Sequence, residues 1–490
     1  MLFVYMNTAS RGAFPIGLTN LASYLEVLGH EIRIFDTTFY KEFSPRKREV
    51  TKKDYGFYKP VENPAPGKHI GTDLFSDLNS LVAQLRPDII GFSILSSHFY
   101  AAVELADRLK ENYADIPIIF GGLHPSIMPE DTLAVNSVDM ICVGEGEYAM
   151  AELLERLSER RDIKNVNNIW LKEDGRIYRN EIRKLVDINE LPVLNWSLFS
   201  EQHCYAALNG RTYRMGSVEF SRGCPFSCNY CSCTYLRNLT GSQKYLRRKS
   251  IEKSISDLVF LKNKYDLEMF YFLDESFLSM PFETLRMFSQ EYKSEVNLPF
   301  HVMTHPASVS REKTKLLESM GCYLATIGIE CGNQEFRKQV LNRNVPNNKI
   351  IEAFETMRAD GILASAFGMI GLPYETRSMI FETIEMFRRC KPETYAVGIF
   401  KPFLGSKLRQ TCIDEGFFDS ANDNYNYPDT TSVLRMPQLS AEEIEGLYKT
   451  FFLYTKLAKK HFPLLNGAER DESKLEHALE IYRQEELPGL

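Results

Sequence analysis

There is no cysteine before Cys142, so the opening quarter of this 490-residue chain holds no thiol for a metal centre or a disulfide. Ten cysteines in all is far below the density of a disulfide scaffold, which leaves chemistry at a few places as their use. An excess of positive charge is also missing: 58 Lys and Arg stand against 65 Asp and Glu, a net charge of −7. A protein that grips nucleic acid or an anionic membrane by its global field is therefore disfavoured. No apolar run approaches the ~18–20 residues of a spanning helix, and MLFVYMNTASRG puts no basic segment ahead of an apolar one. The expectation is a soluble cytoplasmic protein of two to four domains, with 44% apolar residues to build their cores.

Short β-branched or aromatic runs alternate with helical patterns through the first 160 residues, the signature of a parallel sheet covered on both faces. The expected strands are Leu2–Met6, Glu31–Asp36, Ile89–Ile94, Ile118–Phe120 and Val138–Val143, a five-stranded doubly wound domain over 1–160. Between 39 and 71 Lys, Pro and Gly break the pattern, marking an insertion or a long loop. Residues 161–214 read as a linker with one hairpin around Asp174–Gly175. Alternation returns over 215–412, with strands expected at Val218–Ser221, Met269–Asp274, Phe300–Met303, Leu324–Glu330, Leu363–Ile370 and Ala396–Phe400. Six strand–helix units of ordinary βαβ size predict a partial parallel barrel. Residues 413–490 read as a helical cap, with a Ser440–Glu443 capping box ahead of Leu447, Phe451, Tyr454 and Leu457. The other reading of that helix is a partner- or membrane-facing surface, because Lys456, Lys459 and Lys460 flank its aromatic face.

The most informative segment is Cys224-Pro-Phe-Ser-Cys228-Asn-Tyr-Cys231, just after a strand. Three thiolates on one loop can converge on one centre, and soft sulfur ligands select zinc, copper or iron–sulfur clusters. Structural zinc wants four ligands, typically in two pairs, and the second pair is missing. Three ligands on a 4Fe-4S cluster would leave one iron open. A zinc or redox-thiol loop is the alternative, and Cys233, two residues on, is read as a bystander to the three.

This Cys-x3-Cys-x-aromatic-Cys loop, with Tyr230 as the aromatic, resembles the hallmark of the radical S-adenosylmethionine (SAM) superfamily. The resemblance implies a 4Fe-4S cluster whose open iron is chelated by SAM, and a partial (β/α)6 barrel around it. Further motifs agree in order and spacing. Asp274 and Glu275 close the second barrel strand, where the family presents a polar group to the SAM amino nitrogen. Glu330, in Gly-Ile-Glu-Cys-Gly, matches the acidic residue that reaches the SAM ribose. Gly371 lies in the fifth-strand glycine motif that lets SAM lie against backbone.

The first domain resembles the cobalamin-binding domain of the branch that holds the anaerobic cyclase of bacteriochlorophyll synthesis and the cobalamin-dependent methylases. The matching residues are Pro15-Ile-Gly17-Leu18, Gly29-His30-Glu31, Asp88-Ile-Ile-Gly91, Gly121-Gly-Leu-His124-Pro125 and Gly144-Glu-Gly-Glu147. The resemblance places cobalamin along Ser93, Ser96, Gly121, Gly122, His124, Gly144 and Glu145 at the carboxyl edge of the sheet, where doubly wound domains bind cofactors. None of the nine histidines lies in Asp-x-His-x-x-Gly, the motif that supplies histidine to cobalt. The stretch from Asn7 through Ala13 to Phe14 is then expected over the lower face of cobalt, and His124 reads best as a turn histidine.

Together these imply a cobalamin-dependent radical SAM methyltransferase acting on an unactivated centre and served by a low-potential donor such as flavodoxin or ferredoxin. Oxidation, cyclisation or rearrangement on the same architecture is the second reading, and a non-catalytic cluster or corrinoid carrier the third. Methylthiotransferases, with a second cluster on amino-terminal cysteines, are excluded, as are maturases with a cysteine-rich tail. The substrate leaves no readable code.

Overall fold

The computed structural model describes residues 1–7, 12–41, 69–241, 243–427 and 429–486. The amino-terminal sheet runs β1 (Leu2–Tyr5), β2 (Arg33–Asp36), β3 (Ile90–Ser93), β4 (Ile118–Gly121) and β5 (Met140–Cys142), in the parallel order β2-β1-β3-β4-β5. The order reverses between β1 and β3, the switch point where doubly wound folds open a crevice. Both faces are covered, so the strands read as near-continuous apolar runs. Leu2, Val4, Ile90, Phe92, Ile118 and Phe120 pack with the helices Leu74–Leu85 and Phe99–Asn112. Phe3, Ile89, Ile119 and Met140 pack with the helices Ile16–Val27 and Glu147–Ser158.

The hairpin β6 (Ile169–Glu173) and β7 (Arg176–Tyr178) forms around Asp174–Gly175, but it does not lie in a linker. β6 pairs antiparallel with β5 and extends the sheet to seven strands. Most of the 39–71 stretch lies outside the described residues; at its ends Tyr40 and Ile70 form an isolated parallel bridge.

The second sheet contains β8 (Tyr205–Leu208), β9 (Arg211–Val218), β12 (Met269–Phe272), β13 (Phe300–Thr304), β14 (Cys322–Glu330), β15 (Leu363–Ile370) and β16 (Thr394–Ile399), ordered β16-β15-β14-β13-β12-β9-β8. Six strands are parallel, and only β8 runs against its neighbour β9. Phe270, Phe272 and Phe300 form an aromatic layer with Phe288 and Tyr292 of the covering helices. On the strand positions between them, Tyr271 stacks on His301 at 4.3 Å, and His301 Nε2 meets Thr326 Oγ1 at 2.8 Å. The first barrel strand ends three residues before the expected Ser221: Ser221–Arg222 (β10) instead pairs with Arg247–Arg248 (β11) in a separate two-stranded ribbon.

The helix Ala441–Lys456 starts at the Ser440–Glu443 capping box. Leu447, Phe451, Tyr454 and Leu457 are all buried, with Phe451 edge-on to Phe387 at 5.3 Å. The face offered to a partner or a membrane in the second reading is thus the core of a cap. Ahead of it, Asp423 accepts from Arg409 at 2.8 Å and from the Tyr427 hydroxyl at 2.6 Å, while Tyr425 stacks on Tyr100 of the amino-terminal domain at 5.8 Å. Among the described residues no helix is long and apolar enough to cross a membrane.

Candidate active site

The cysteine loop is rooted on Asp274. Its carboxylate accepts from the Phe220 N–H at 3.0 Å and the Ser221 N–H at 2.6 Å, at the turn out of β9. Asp274 is fully buried, and burial pushes its carboxyl up to about 6. This corrects the expectation that it contacts SAM, since its oxygens are already committed to the loop. Gly223 (φ 100°) allows the turn, because a Cβ there would lie 2.6 Å from the Tyr245 carbonyl oxygen. Phe226 then stacks on His305, at the end of β13, with centroids 3.7 Å apart, and Asn229 Nδ2 donates to the Val340 carbonyl at 2.8 Å. Cys228 is buried; Cys224 and Cys231 are half-buried. Cys233 hydrogen-bonds to Cys231 and holds that thiol down, at about 6.

Among the described residues no three His, Cys, Asp or Glu side chains stand close enough for one metal ion. A 4Fe-4S cluster binds each thiolate through a different iron, so its ligand sulfurs stand further apart than those around a single ion. Three thiols on one anchored loop, none of them in a disulfide, fit that group.

Glu330 ends β14 in the left-handed region (φ 64°), an uncommon conformation for a side chain of its size. The Tyr230 hydroxyl hydrogen-bonds to its carboxylate, and Arg343 Nη2 lies 4.0 Å from Oε1. Burial nonetheless pushes the Glu330 carboxyl up. Arg343, absent from the expected site, also donates to the Gly328 carbonyl at 2.8 Å and places Nη1 3.8 Å from Cys228 Sγ. Glu275 lines the cavity described below, and burial pushes its carboxyl up to about 7. Gly371 departs from expectation. Its N–H donates to the buried Glu375 at 2.7 Å, and a Cβ on it would meet Ile444 of the carboxyl-terminal helix at 2.9 Å. The side on which a Cβ would stand packs against that cap.

A cavity of about 370 Å³ lies between the carboxyl edge of the first sheet and the cysteine-loop side of the barrel, within the range of small-molecule sites. Ser93, Gly121, Gly122, Gly144 and Glu145 line it from one side, and Leu236, Tyr245 and Glu275 from the other. Gly122 (φ 101°) carries backbone where a Cβ would stand 2.8 Å from the Ile94 carbonyl. Ser126, not foreseen, joins two of the glycine turns: its Oγ donates to the Gly122 carbonyl at 2.7 Å and accepts from the Gly144 N–H at 2.9 Å.

Five expected residues do not reach this cavity. Phe14 is buried against Trp196, stacked nearly parallel at 4.6 Å, because an apolar loop residue finds the core of the connector. Asn7 is buried with its N–H on Thr37 Oγ1 at 2.9 Å, Ala13 is exposed, and residues 8–11 lie outside those described. Ser96 opens a short 3-10 turn away from the lining. His124 is fully buried between Phe99 at 4.1 Å and Tyr425 at 5.2 Å, and burial holds its ring down at about 4.

An ion network that the sequence did not reveal ties the two walls together. Arg222, in β10, meets Glu147 at 2.9 Å and Glu145 at 3.2 Å from the first domain, and Glu219 at 2.9 Å from its own. Arg247, its neighbour across the ribbon, grips both oxygens of Glu145, Oε1 at 2.5 Å and Oε2 at 2.9 Å. Glu145 was expected on cobalamin; its two oxygens are engaged by arginines, and although burial pushes its carboxyl up, Arg247, Arg222 and the Val186 N–H outweigh burial and leave it low.

An open six-stranded parallel barrel with a three-cysteine loop at its mouth, facing a doubly wound domain across a cavity, is the architecture of a radical SAM protein with a second cofactor domain. The Radical SAM superfamily model matches residues 218–387 and the B12 binding domain model matches 66–154. The chain belongs to the radical SAM superfamily, in the branch that carries a B12-binding domain ahead of the barrel; its cofactors are a 4Fe-4S cluster, SAM and cobalamin. An uncharacterized methyltransferase of Pyrococcus horikoshii is 25% identical over 392 residues, 79% of this chain and 83% of that protein. The anaerobic magnesium-protoporphyrin IX monomethyl ester cyclase of Rubrivivax gelatinosus is 23% identical over 415 residues, 81% of this chain and 71% of the cyclase. The solved structure of the radical SAM methyltransferase TsrM from Kitasatospora setae, with cobalamin and a [4Fe-4S] cluster bound, superposes with a TM-score of 0.64 at 16% identity, covering 92% of this chain and 84% of TsrM. That likeness is one of fold.

Proposed function

We propose that the chain is a cobalamin-dependent radical SAM methyltransferase acting on an unactivated centre. The observation that carries this reading is the shared cavity: the glycine-edged end of the first sheet and the wall that leads to the cysteine loop enclose one space. When bound, the cluster and cobalamin supply reductive cleavage of SAM to a deoxyadenosyl radical and a methyl group for transfer. Cys224, Cys228 and Cys231 hold the cluster. Glu275, Glu330 and Tyr230 orient SAM, with Arg343 fixing Glu330 from behind. Ser93, Gly121, Gly122 and Gly144 let a large planar ligand approach the sheet edge without side-chain obstruction. A low-potential donor, flavodoxin or ferredoxin, delivers the electron. Support for methylation comes from the Pyrococcus relative, whose name is that of a methyltransferase, matched over most of both chains.

The likeness to a cyclase favours a second reading, radical oxidation or ring closure on the same scaffold. Stoichiometry separates the two. Anaerobically reconstituted protein with SAM, hydroxocobalamin and a strong reductant is expected to form deoxyadenosine and S-adenosylhomocysteine together. Deoxyadenosine without S-adenosylhomocysteine would move the chain to the second reading.

A further inference from the structure

The charged groups around the cavity are unequally compensated. Arg222 is saturated by Glu145, Glu147 and Glu219, and Glu145 is shared with Arg247. Two cations remain on the rim, Arg183 and Lys184, in the segment that leaves β7 and crosses to the barrel. Arg183 Nη2 meets Glu152 at 2.8 Å, but its Nη1 is buried without a hydrogen-bond partner, a costly state for an ionised donor. Lys184 makes no hydrogen bond or ion pair among the described residues, and its charge is felt at Asp187.

The backbone around these cations is fixed from both domains. The Arg183 N–H donates to Asn168 Oδ1 at 2.6 Å, and Gln243 of the barrel side accepts from the Leu185 N–H at 2.8 Å. The Val186 N–H donates to Glu145 Oε2 at 2.9 Å. A segment pinned on either side of Lys184, which has no ion pair among the described residues, and of Arg183, which is paired through Nη2 alone, on the rim of a cavity whose other cation is neutralised, is a preorganised site for a single anionic group.

We propose that Arg183 and Lys184 bind the phosphodiester of the nucleotide tail of cobalamin. The proposal rests on the cobalamin reading above. In the free corrinoid that phosphodiester is the one anionic link between a ring carrying neutral amides and its nucleotide base. Exposed Lys184 takes it as a point charge at the rim, and Arg183, held on Glu152 through Nη2, adds positive charge behind it. The connector between the domains, which the sequence marks only as a linker, thereby becomes part of the cofactor site.

The test is equilibrium binding without turnover, on the full-length protein, with hydroxocobalamin and with cobinamide, which lacks the phosphodiester-linked nucleotide. Wild type is expected to hold hydroxocobalamin at least tenfold more tightly than cobinamide. Lys184→Gln should weaken hydroxocobalamin about tenfold at low salt while leaving cobinamide within twofold, and Lys184→Arg should recover most of the loss. Unchanged hydroxocobalamin affinity in Lys184→Gln, or equal weakening of both corrinoids, overturns the anion site and leaves the cobalamin reading standing. Wild type that binds neither corrinoid overturns both.

Discussion

The guanidinium of Arg222 meets the carboxylate of Glu147 at 2.9 Å, and this contact joins the loop that carries Cys224 to the end of the first sheet. The two residues lie 75 positions apart in the chain and on opposite sides of the cavity. The position of the cysteine loop therefore depends on a group in the other domain.

Arg222→Met would leave Glu145, Glu147 and Glu219 facing one another with Arg247 alone to balance them. Removing one partner from a buried ion cluster costs about 3–5 kcal/mol, so a drop in Tm of several degrees is expected. Iron per chain after reconstitution should fall with it. Arg222→Lys keeps the charge but not the fork, and should lie between the two in both measurements.

On the proposed reading Cys224, Cys228 and Cys231 form the ligand set, and Cys233 stands outside it. Cys228→Ala should lose the broad iron–sulfur absorbance and all deoxyadenosine formation. Cys233→Ala should keep both. A Cys228→Ala protein that still cleaved SAM would remove the basis of the functional reading.

Glu375 is fully buried, and burial pushes its carboxyl up to about 8, against the pull of the Leu372 and Gly371 N–H groups. The native state thus binds a proton that the unfolded chain releases above its ordinary value near 4.5. The contribution of Glu375 to stability is full below pH 4.5 and is lost as pH rises toward 8, at up to about 1.4 kcal/mol per pH unit. Denaturant midpoints across that range should decline in wild type and flatten in Glu375→Gln, which keeps an acceptor for both N–H groups.

Gly371→Ala distinguishes packing from cofactor contact. The new methyl would meet Ile444 at 2.9 Å in a left-handed conformation, so a loss of about 1–3 kcal/mol is expected. SAM affinity, measured by equilibrium binding, should be unchanged. A variant of normal stability that bound SAM poorly would return Gly371 to the role expected from its motif.

Most of the strand positions were legible because helix and strand periods differ and each barrel strand is apolar on the side its helices cover. The cysteine loop was legible because its spacing is local. Partnership was not. Asp274 and Glu275 are adjacent acids at one strand end, and only the fold shows that the first holds the backbone of residues 220 and 221 while the second faces the cavity. The hairpin at 169–178 looks isolated in sequence because its pairing with β5 depends on register across a helix-length gap. Phe14 stands in a loop beside a cofactor-edge motif, yet stacks on Trp196, 182 positions away, by hydrophobic contact alone. Arg343, beside both Glu330 and Cys228, sits in an unremarkable Asn-Arg-Asn tripeptide.

The stack of Tyr425 on Tyr100 brings a late loop of the chain back onto its first domain. A ribosome making this protein has released the whole barrel before that contact can form. Until then His124 has Phe99 against one side of its ring but lacks Tyr425 on the other. The amino-terminal domain is thus finished only after the barrel although it is synthesised first, and a nascent chain stalled before residue 419 should present an incomplete corrinoid domain to solvent.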